Sequence, residues 1–490
     1  MIAAPTAGVG AVAPASTKDR RLKIVLYNPQ AVFFTMPLAL LAIGSELDPE
    51  VYEVVTIDGR LDPDAENTVL SHIDSALCLG VTVLTGAPIS DALQISRAAK
   101  RARPDVPVVW GGWHPSMFAR ECLLEHCVDV SVRGQGEETF AEIVRRLAEG
   151  RTLDGCAGCT VRLADGTIHE NPSRPLASVD KFRAHDYGLI PVERYFELKG
   201  KRQIDYISSQ GCNFRCAFCS DPFVYGRKWV GLEPVRMVLR LRKLWDRYGF
   251  DDVNFQDETF FTKRDRVETL ANHIIESGMK FTWAATMRAD QGVRLPDEVW
   301  LRCKQSGLRR LLVGVESGSN EVLKRIRKDI RIEQVFETAD KMLKFGIAGH
   351  FPFIVGFPEE SEADIQATLD CAKRLRSLSP DFLTPIFYFK PYPGSALVIE
   401  AVERGFRLPE TLEAWAKFDY VAGEPGPWVS AEKFELIERF KFFHELAWSR
   451  ISRGKRLLQR LARYRCRSDN YRWPVEMLFT RWLVPMQKLS

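Results

Sequence analysis

Three thiols stand close together in the stretch GCNFRCAFCSDP, at Cys212, Cys216 and Cys219, spaced C-x3-C-x2-C. No histidine lies nearby to complete a closed four-ligand zinc shell. Three thiolates can instead hold three irons of a [4Fe–4S] cluster and leave the fourth iron open. The spacing matches neither ferredoxin run, each of which supplies four cysteines. A cluster with an open iron is a reactant as well as an electron carrier.

Such a loop needs a scaffold. From Gln203 the segments QIDYISS, DVNFQDE, FTWAATM, RLLVGVES, GHFPFIVGF and FLTPIFYF read as strands with helical patterns between them. Six β/α units predict a partial barrel of the TIM type, with function on the loops that follow the strands. The cysteines fall in the first such loop. Later strand ends carry Asp257, Glu258, Arg288, Glu316, Ser317 and Gly356. Any one of these could be a helix cap; their recurrence at one end is what a ligand site requires.

Upstream, KIVLYN, YEVVTID, ALCLGVTVL, VPVVWGG and VDVSVRG read as five strands buried on both faces, hence parallel. Amphipathic helices lie between them. The prediction is a doubly wound, Rossmann-like α/β sheet whose ligand sits beyond the carboxyl ends of the strands. Those ends hold Asn28, Asp58, Thr82, Leu84, Gly111, Gly112, Gly134 and Gly136. Residues 150–200 read as a connector with a hairpin around an Asp-Gly turn in TVRLADGTIHENPS. Cys156 and Cys159 there form a C-x2-C that could join the central trio on zinc. Cys78, Cys122, Cys303 and Cys371 lie on apolar patterns and read as core thiols.

At 490 residues, 46% hydrophobic and 27% charged, the chain has the composition of a soluble protein of several domains. Eleven scattered cysteines read as reduced thiols in a cytoplasm. The opening MIAAPTAGVGAVAPASTKDR lacks the basic start and compact apolar run of a signal peptide and reads as a disordered leader. No apolar run is long enough to span a bilayer. The net charge of +4 is unevenly spread: Ile451–Ser490 holds ten Lys/Arg and two Asp/Glu, leaving the rest of the chain acidic. That tail, with Trp473, Phe479 and Trp482, fits a solvated helix with its aromatic face on the core. It also fits peripheral contact with an anionic membrane. No nucleic-acid module accompanies the charge, which argues against such a partner.

The cysteine motif in the first β/α loop resembles that of the radical S-adenosylmethionine superfamily. The resemblance implies that S-adenosylmethionine chelates the open iron and that its reductive cleavage gives a 5′-deoxyadenosyl radical. It implies an external reductant such as flavodoxin or ferredoxin. Phe218 matches the aromatic residue beside the adenine. Asp257 and Glu258 stand where the family binds the methionyl ammonium, Arg288 near its carboxylate, and Glu316 with Ser317 at a ribose or carboxylate position. PFIVGFPEE resembles the adenine-packing strand, with Ile354 and Gly356 in register and Pro352 where a Gly is frequent.

The N-terminal sheet resembles the cobalamin-binding domain that precedes many of these enzymes. Thr82 and Leu84 match a Ser-x-Leu on the nucleotide tail, and Gly111 with Gly112 a Gly-Gly turn against it. Asn28, Asp58, His114 and Gly134 are further expected cobalamin contacts. The Asp-x-His-x-x-Gly motif of methionine synthase-like domains is absent, so the first loop offers cobalt no histidine. Gln135 stands where Glu is common. The implied layout is a leader over 1–20, a cobalamin domain over 21–150, the connector over 151–200, the radical domain over 201–400 and a helical basic segment over 401–490. The implied activity is C-methylation of an unactivated carbon, with oxidation or cyclisation resembling the anaerobic magnesium-protoporphyrin ester cyclase as the alternative. The substrate is expected to be a small molecule; the basic aromatic tail adds a lipophilic one to the candidates. Tyr392 and Pro393 in KPYPGSAL resemble the end of the family's sixth strand.

Overall fold

The computed structural model describes residues 21–418, 425–448, 456–471, 474, 476 and 477. The leader and Trp473, Phe479 and Trp482 of the tail lie outside the described residues.

The first sheet is built from β1 (Leu22–Asn28), β2 (Tyr52–Asp58), β3 (Ala76–Thr82), β4 (Val108–Gly111), β5 (Val130–Val132), β6 (Cys159–Arg162) and β7 (Ile168–Glu170). Its order is β2-β1-β3-β4-β5-β6-β7, with the first five strands parallel and the last two antiparallel. The hairpin around Asp165-Gly166 therefore extends this sheet. Central strands are apolar on both sides because both faces are covered. The helices α1 (Leu38–Ser45) and Glu137–Ala148 close a core containing Leu26, Val109 and Phe140. On the other face α2 (Ala65–Ile73) and α3 (Pro88–Ala102) close a core containing Val25, Val81 and Trp110. The helix Glu137–Ala148 carries acids in its first turn and Arg145 and Arg146 in its last, matching the helix dipole.

The second sheet begins with β8 (Gln203–Tyr206), after which β9 (Ser209–Gly211) and β10 (Trp229–Gly231) form a small separate antiparallel pair. Then come β11 (Asp252–Phe255), β12 (Thr282–Met287), β13 (Leu308–Val313), β14 (Ala348–His350), β15 (Phe353–Val355), β16 (Phe382–Leu383) and β17 (Ile386–Tyr388). Six strands run parallel in the order β16-β14-β13-β12-β11-β8, an open partial barrel. The last two predicted strands are each broken in two; β15 pairs with β17 and meets the segment after β13 through one bridge, Phe353 to Glu316. Pro352 and Pro385 sit at the breaks, where a proline has no N–H for the ladder. The Pro352 carbonyl instead accepts from the amides of Val315 and Glu316, at 3.2 and 3.1 Å.

The helix Ala431–Trp448 buries Ile437, Phe440 and Phe443 in the barrel core, and the helix Arg456–Ser468 lies on it through Ala462 and Cys466. The described part of the basic tail is thus docked on the fold. No helix among the described residues is long and apolar enough to cross a membrane. Earlier in the chain a strap, Thr411–Phe418, runs back to the first sheet. Its Leu412, Trp415 and Phe418 complete the core against α3, and Arg97 pairs with Glu413 at 2.6 Å.

Candidate functional site

The cysteine loop leaves β9 through Gly211, at φ +81°, where a Cβ would collide with the Lys228 carbonyl. Only glycine turns there without strain. The Asp257 carboxylate, at the end of β11, accepts from the Ser208 amide, from the Ser208 hydroxyl at 2.7 Å and from the Ser209 hydroxyl. Both of its oxygens bond the root of the loop, so Asp257 braces it. The loop is pinned further along as well. The Ala217 amide donates to Ile326 and the Leu397 amide to Ala217 (2.8 and 2.9 Å), and Ser220 Oγ donates to the Pro393 carbonyl at 2.8 Å. Tyr392 packs edge-on against Phe418.

Arg288 reaches this loop from the end of β12. Its Nη1 lies 3.6 Å from Cys216 Sγ, and its guanidinium covers the Phe214 ring at 3.8 Å. Burial pushes the Cys212 thiol up to about 11 and Cys219 well above its ordinary value. Burial alone thus keeps Cys212 and Cys219 protonated, and a bound cationic centre deprotonates such ligands. No three His, Cys, Asp or Glu side chains among the described residues gather around one metal ion. Three thiolates that each take a different iron share no single ion, and three partly exposed cysteines on one pinned loop fit that demand.

Around the loop three of the expected S-adenosylmethionine residues, Phe218, Arg288 and Glu316, meet at one residue the strand-end pattern did not reveal. Lys328 is buried; its Nζ donates to Glu316 Oε1 at 2.6 Å and lies 5.8 Å from the centre of the Phe218 ring, while its carbonyl accepts from Arg288. It follows a short helix, away from any strand end. Glu316 has φ +70°, which costs a non-glycine residue about 1–3 kcal/mol. That turn lets its carbonyl accept from the Ile354 amide at 2.7 Å, tying β13 to β15. Gly356, at φ +76°, donates to Glu360 and accepts from Trp428 Nε1 at 2.8 Å. Ser317 is wholly buried, its hydroxyl 3.1 Å from that of Thr368. Its side chain is used inside the fold.

A cavity of about 270 Å³ opens beyond the carboxyl ends of β3, β4 and β5. Thr82, Leu84, Gly111, Gly112 and Gly134 line it, together with Ala39 and Ile43 of α1, Gly80, Gln135 and Glu137. A Cβ at Gly111 would meet only Val132 at 3.7 Å, and one at Gly134 only Val224 at 4.0 Å. Side chains at either place would fill the cavity, so the glycines keep a cradle clear for a flat or slender group. That is the demand of a cobalamin nucleotide tail, and the cavity fits it.

Three expected contacts do not line this cavity. Asp58 is held by Arg60, at 2.6 Å, and by the Tyr195 hydroxyl. Asn28 presents its carbonyl to the Gly59 amide at 2.9 Å. His114 is turned inward, Nδ1 3.1 Å from Thr85 Oγ1 and its ring against Phe118 and Trp415. Burial lowers its pKa to about 4. Cys156 and Cys159 lie wholly within the core of the first sheet, and Cys78, Cys122, Cys303 and Cys371 are buried too.

The far wall of the cavity comes from the barrel half of the chain: Ile207, Gln210, Val224, Tyr225 and Glu258. Gln135 Nε2 donates to Gln210 Oε1 at 2.6 Å, and Gln210 Nε2 to Glu137 Oε1 at 2.7 Å. Trp113 meets Tyr225 edge-on at 5.8 Å. The cavity therefore abuts the segments flanking the cysteine loop.

Residues 206–372 match the model of the radical SAM superfamily and residues 26–144 that of the B12 binding domain. An uncharacterised methyltransferase, PH0819, of Pyrococcus horikoshii is 31% identical over 396 residues, 79% of this chain and 82% of that protein. The cytidylyl-2-hydroxyethylphosphonate methyltransferase of Streptomyces wedmorensis is 25% identical, covering 86% and 89%. The cobalamin-dependent S-adenosylmethionine radical enzyme OxsB, solved with aqua-cobalamin and S-adenosylmethionine, has the same fold at a TM-score of 0.73 and 16% identity, over 96% of this chain and 74% of that one. The chain belongs to the cobalamin-dependent radical S-adenosylmethionine enzymes. Its cofactors are a [4Fe–4S] cluster, S-adenosylmethionine and cobalamin.

Proposed function

We propose that the protein is a radical C-methyltransferase acting on an unactivated carbon of a small molecule. The observation that carries this reading is the shared wall: the cavity suited to cobalamin is closed by Gln210, Val224 and Tyr225, which flank the cysteine loop. When bound, the cluster and S-adenosylmethionine supply a hydrogen-abstracting 5′-deoxyadenosyl radical, and cobalamin supplies the methyl group. The work of this chain is to hold both within reach of one substrate carbon, and such positioning removes much of a barrier.

Cys212, Cys216 and Cys219 would hold the irons, with Arg288 beside Cys216. Phe218 and Glu316, which meet at Lys328, would bind S-adenosylmethionine together with Ile354 and Gly356. Thr82, Leu84, Gly111, Gly112 and Gly134 would hold the corrin and its tail. Both methyltransferase relatives support the reading.

The test is product stoichiometry. Methylation consumes two S-adenosylmethionine molecules, one giving 5′-deoxyadenosine and methionine, the other S-adenosylhomocysteine. With the true substrate, 5′-deoxyadenosine and S-adenosylhomocysteine should appear in equal amounts and the product should gain a methyl group. Substrate-dependent 5′-deoxyadenosine alone, with no added methyl mass, would establish oxidation or cyclisation instead.

A further inference from the structure

The helix Arg456–Ser468 carries three distinct rows of side chains. In the first, Leu458 packs against the barrel core and Ala462 and Cys466 are fully buried, which docks the helix beside Ala431–Trp448. Leu457, Leu461 and Tyr464 form a second row at helical spacing, and all three are exposed. Leu457 is 77% exposed, the highest value for a large apolar side chain among the described residues, and Tyr464 is 65% exposed. Arg456, Arg460, Arg463 and Arg467 make the third row, one position earlier in the chain, and they too are exposed.

Scattered exposed leucines are ordinary. A row of them bordered by a row of arginines is an amphipathic face turned outward. The helix does little to offset this charge. It holds five arginines and no acid, and those of the exposed row stand three or four residues apart, where like charges destabilise a helix. Arg456 lies in the first turn, the end of the helix dipole that favours acids. Arg465 pairs with Glu476 at 2.6 Å, and Arg463 Nε donates to the Ala447 carbonyl at 2.8 Å. Arg456, Arg460 and Arg467 have no ion-pair partner among the described residues.

We propose that this outward face docks on an anionic membrane surface, its arginines on lipid phosphates and its apolar row in the headgroup boundary. The charge selects the partner. An apolar row alone would suit any greasy surface, whereas four arginines beside it fit a densely anionic one. The guanidinium fork matches phosphate, and tyrosine suits a layer that is apolar on one side and wet on the other. The helix has 13 residues and is about 20 Å long, short of the roughly 30 Å of a bilayer core, so it lies along the surface. Its buried row fixes it to the barrel, and the contact therefore holds the whole chain at the membrane. It is independent of which reaction the cofactors perform.

The test is sedimentation of the full chain, with reconstituted cluster, with vesicles of phosphatidylcholine that contain or lack phosphatidylglycerol. The wild type should sediment with the phosphatidylglycerol vesicles at low salt and be released as salt screens the charges. Changing Arg456, Arg460 and Arg467 together to Gln should weaken binding at least about tenfold, since one arginine at such a surface is worth about fivefold. Leu457→Ser, Leu461→Ser and Tyr464→Ser together should weaken it too, with an unchanged thermal midpoint. Amide hydrogen exchange of the wild-type helix should slow with phosphatidylglycerol vesicles only, a measurement that needs no variant. A wild type that does not sediment with them, or unchanged binding in either variant, would overturn the proposal. Salt-insensitive binding to phosphatidylcholine alone would reject the anionic partner. Self-association in free solution that the serine variant abolishes would assign the face to a second copy of the chain instead.

Discussion

Gln135 and Gln210 face each other across the two sheets, amide to amide, at 2.6 Å. One sits on the loop after β5 that lines the cavity proposed for cobalamin; the other immediately precedes Gly211 and Cys212. A single bond thus ties a loop of that cavity to the residue before the cysteine loop.

Replacing Gln210 with Leu should break this tie and leave the buried Glu137 carboxyl without its donor, a loss of about 1–3 kcal/mol. Thermal unfolding should move to lower temperature and hydroxocobalamin should be retained less well, while iron content stays at the wild-type level. Unchanged cobalamin retention would mean that the tie is incidental.

The cluster has a direct check. Anaerobic reconstitution should yield about four irons per chain, by cubane stoichiometry. Changing Cys212, Cys216 and Cys219 together to Ala should abolish the iron–sulfur absorbance. A triple variant that keeps its cluster, or zinc in place of iron in the native protein, would contradict the assignment.

Gly111 and Gly112 are neighbours with opposite expected sensitivities. A leucine at Gly111 has room to stand in the cavity, so Gly111→Leu should fold with nearly the wild-type thermal midpoint and yet bind no cobalamin. Gly112 has φ +101°, and a Cβ there would lie 2.9 Å from the Val83 carbonyl. Gly112→Ala should cost about 1–3 kcal/mol in backbone strain, read as a lowered midpoint with or without cobalamin. Equal effects of the two substitutions would reject this division.

Glu360 makes stability depend on pH. Its carboxyl is buried and accepts from the Gly356 and Phe357 amides, and burial raises its pKa from 4.5 to about 7. The folded chain therefore prefers the protonated form. The associated stability is present in full below pH 4.5 and is lost as pH rises to about 7, a total of about 3 kcal/mol at 1.36 kcal/mol per unit. E360Q should remove that decline. Thermal midpoints of both proteins at about pH 5 and pH 8 should diverge at the higher pH, in favour of the variant. Parallel curves would exclude Glu360 as the cause.

Local pattern carried much of this. The five parallel strands and the hairpin were legible because apolar runs and an Asp-Gly turn report local conformation, and the cysteine spacing needs no tertiary information. Other features depended on residues far away in the chain. Asp58 looked available at a strand end until Tyr195, 137 positions on, was seen to donate to it. His114 stood beside a glycine pair, yet Trp415 packs on its ring. Gln135 stands where Glu is common, and its partners Gln210 and Ala177 lie far along the chain. Lys328 belongs to no strand end, so nothing in its own neighbourhood announced a side chain shared by Glu316 and Phe218. Pro352 was noted as an irregularity, and its missing N–H is why one predicted strand became two.

The strap Thr411–Phe418 has a consequence for synthesis of the chain. Leu412, Trp415 and Phe418 belong to a core whose other members lie between Val25 and Val128, so that core stays incomplete until most of the polypeptide has left the ribosome. Domains generally fold in order from the N-terminus as they emerge. Here the first sheet must wait, with the apolar edge around α3 and Phe118 open to chaperones or to other nascent chains. A version ending before Thr411 would retain every residue proposed above to hold a cofactor and still leave the ribosome with that seam unsealed.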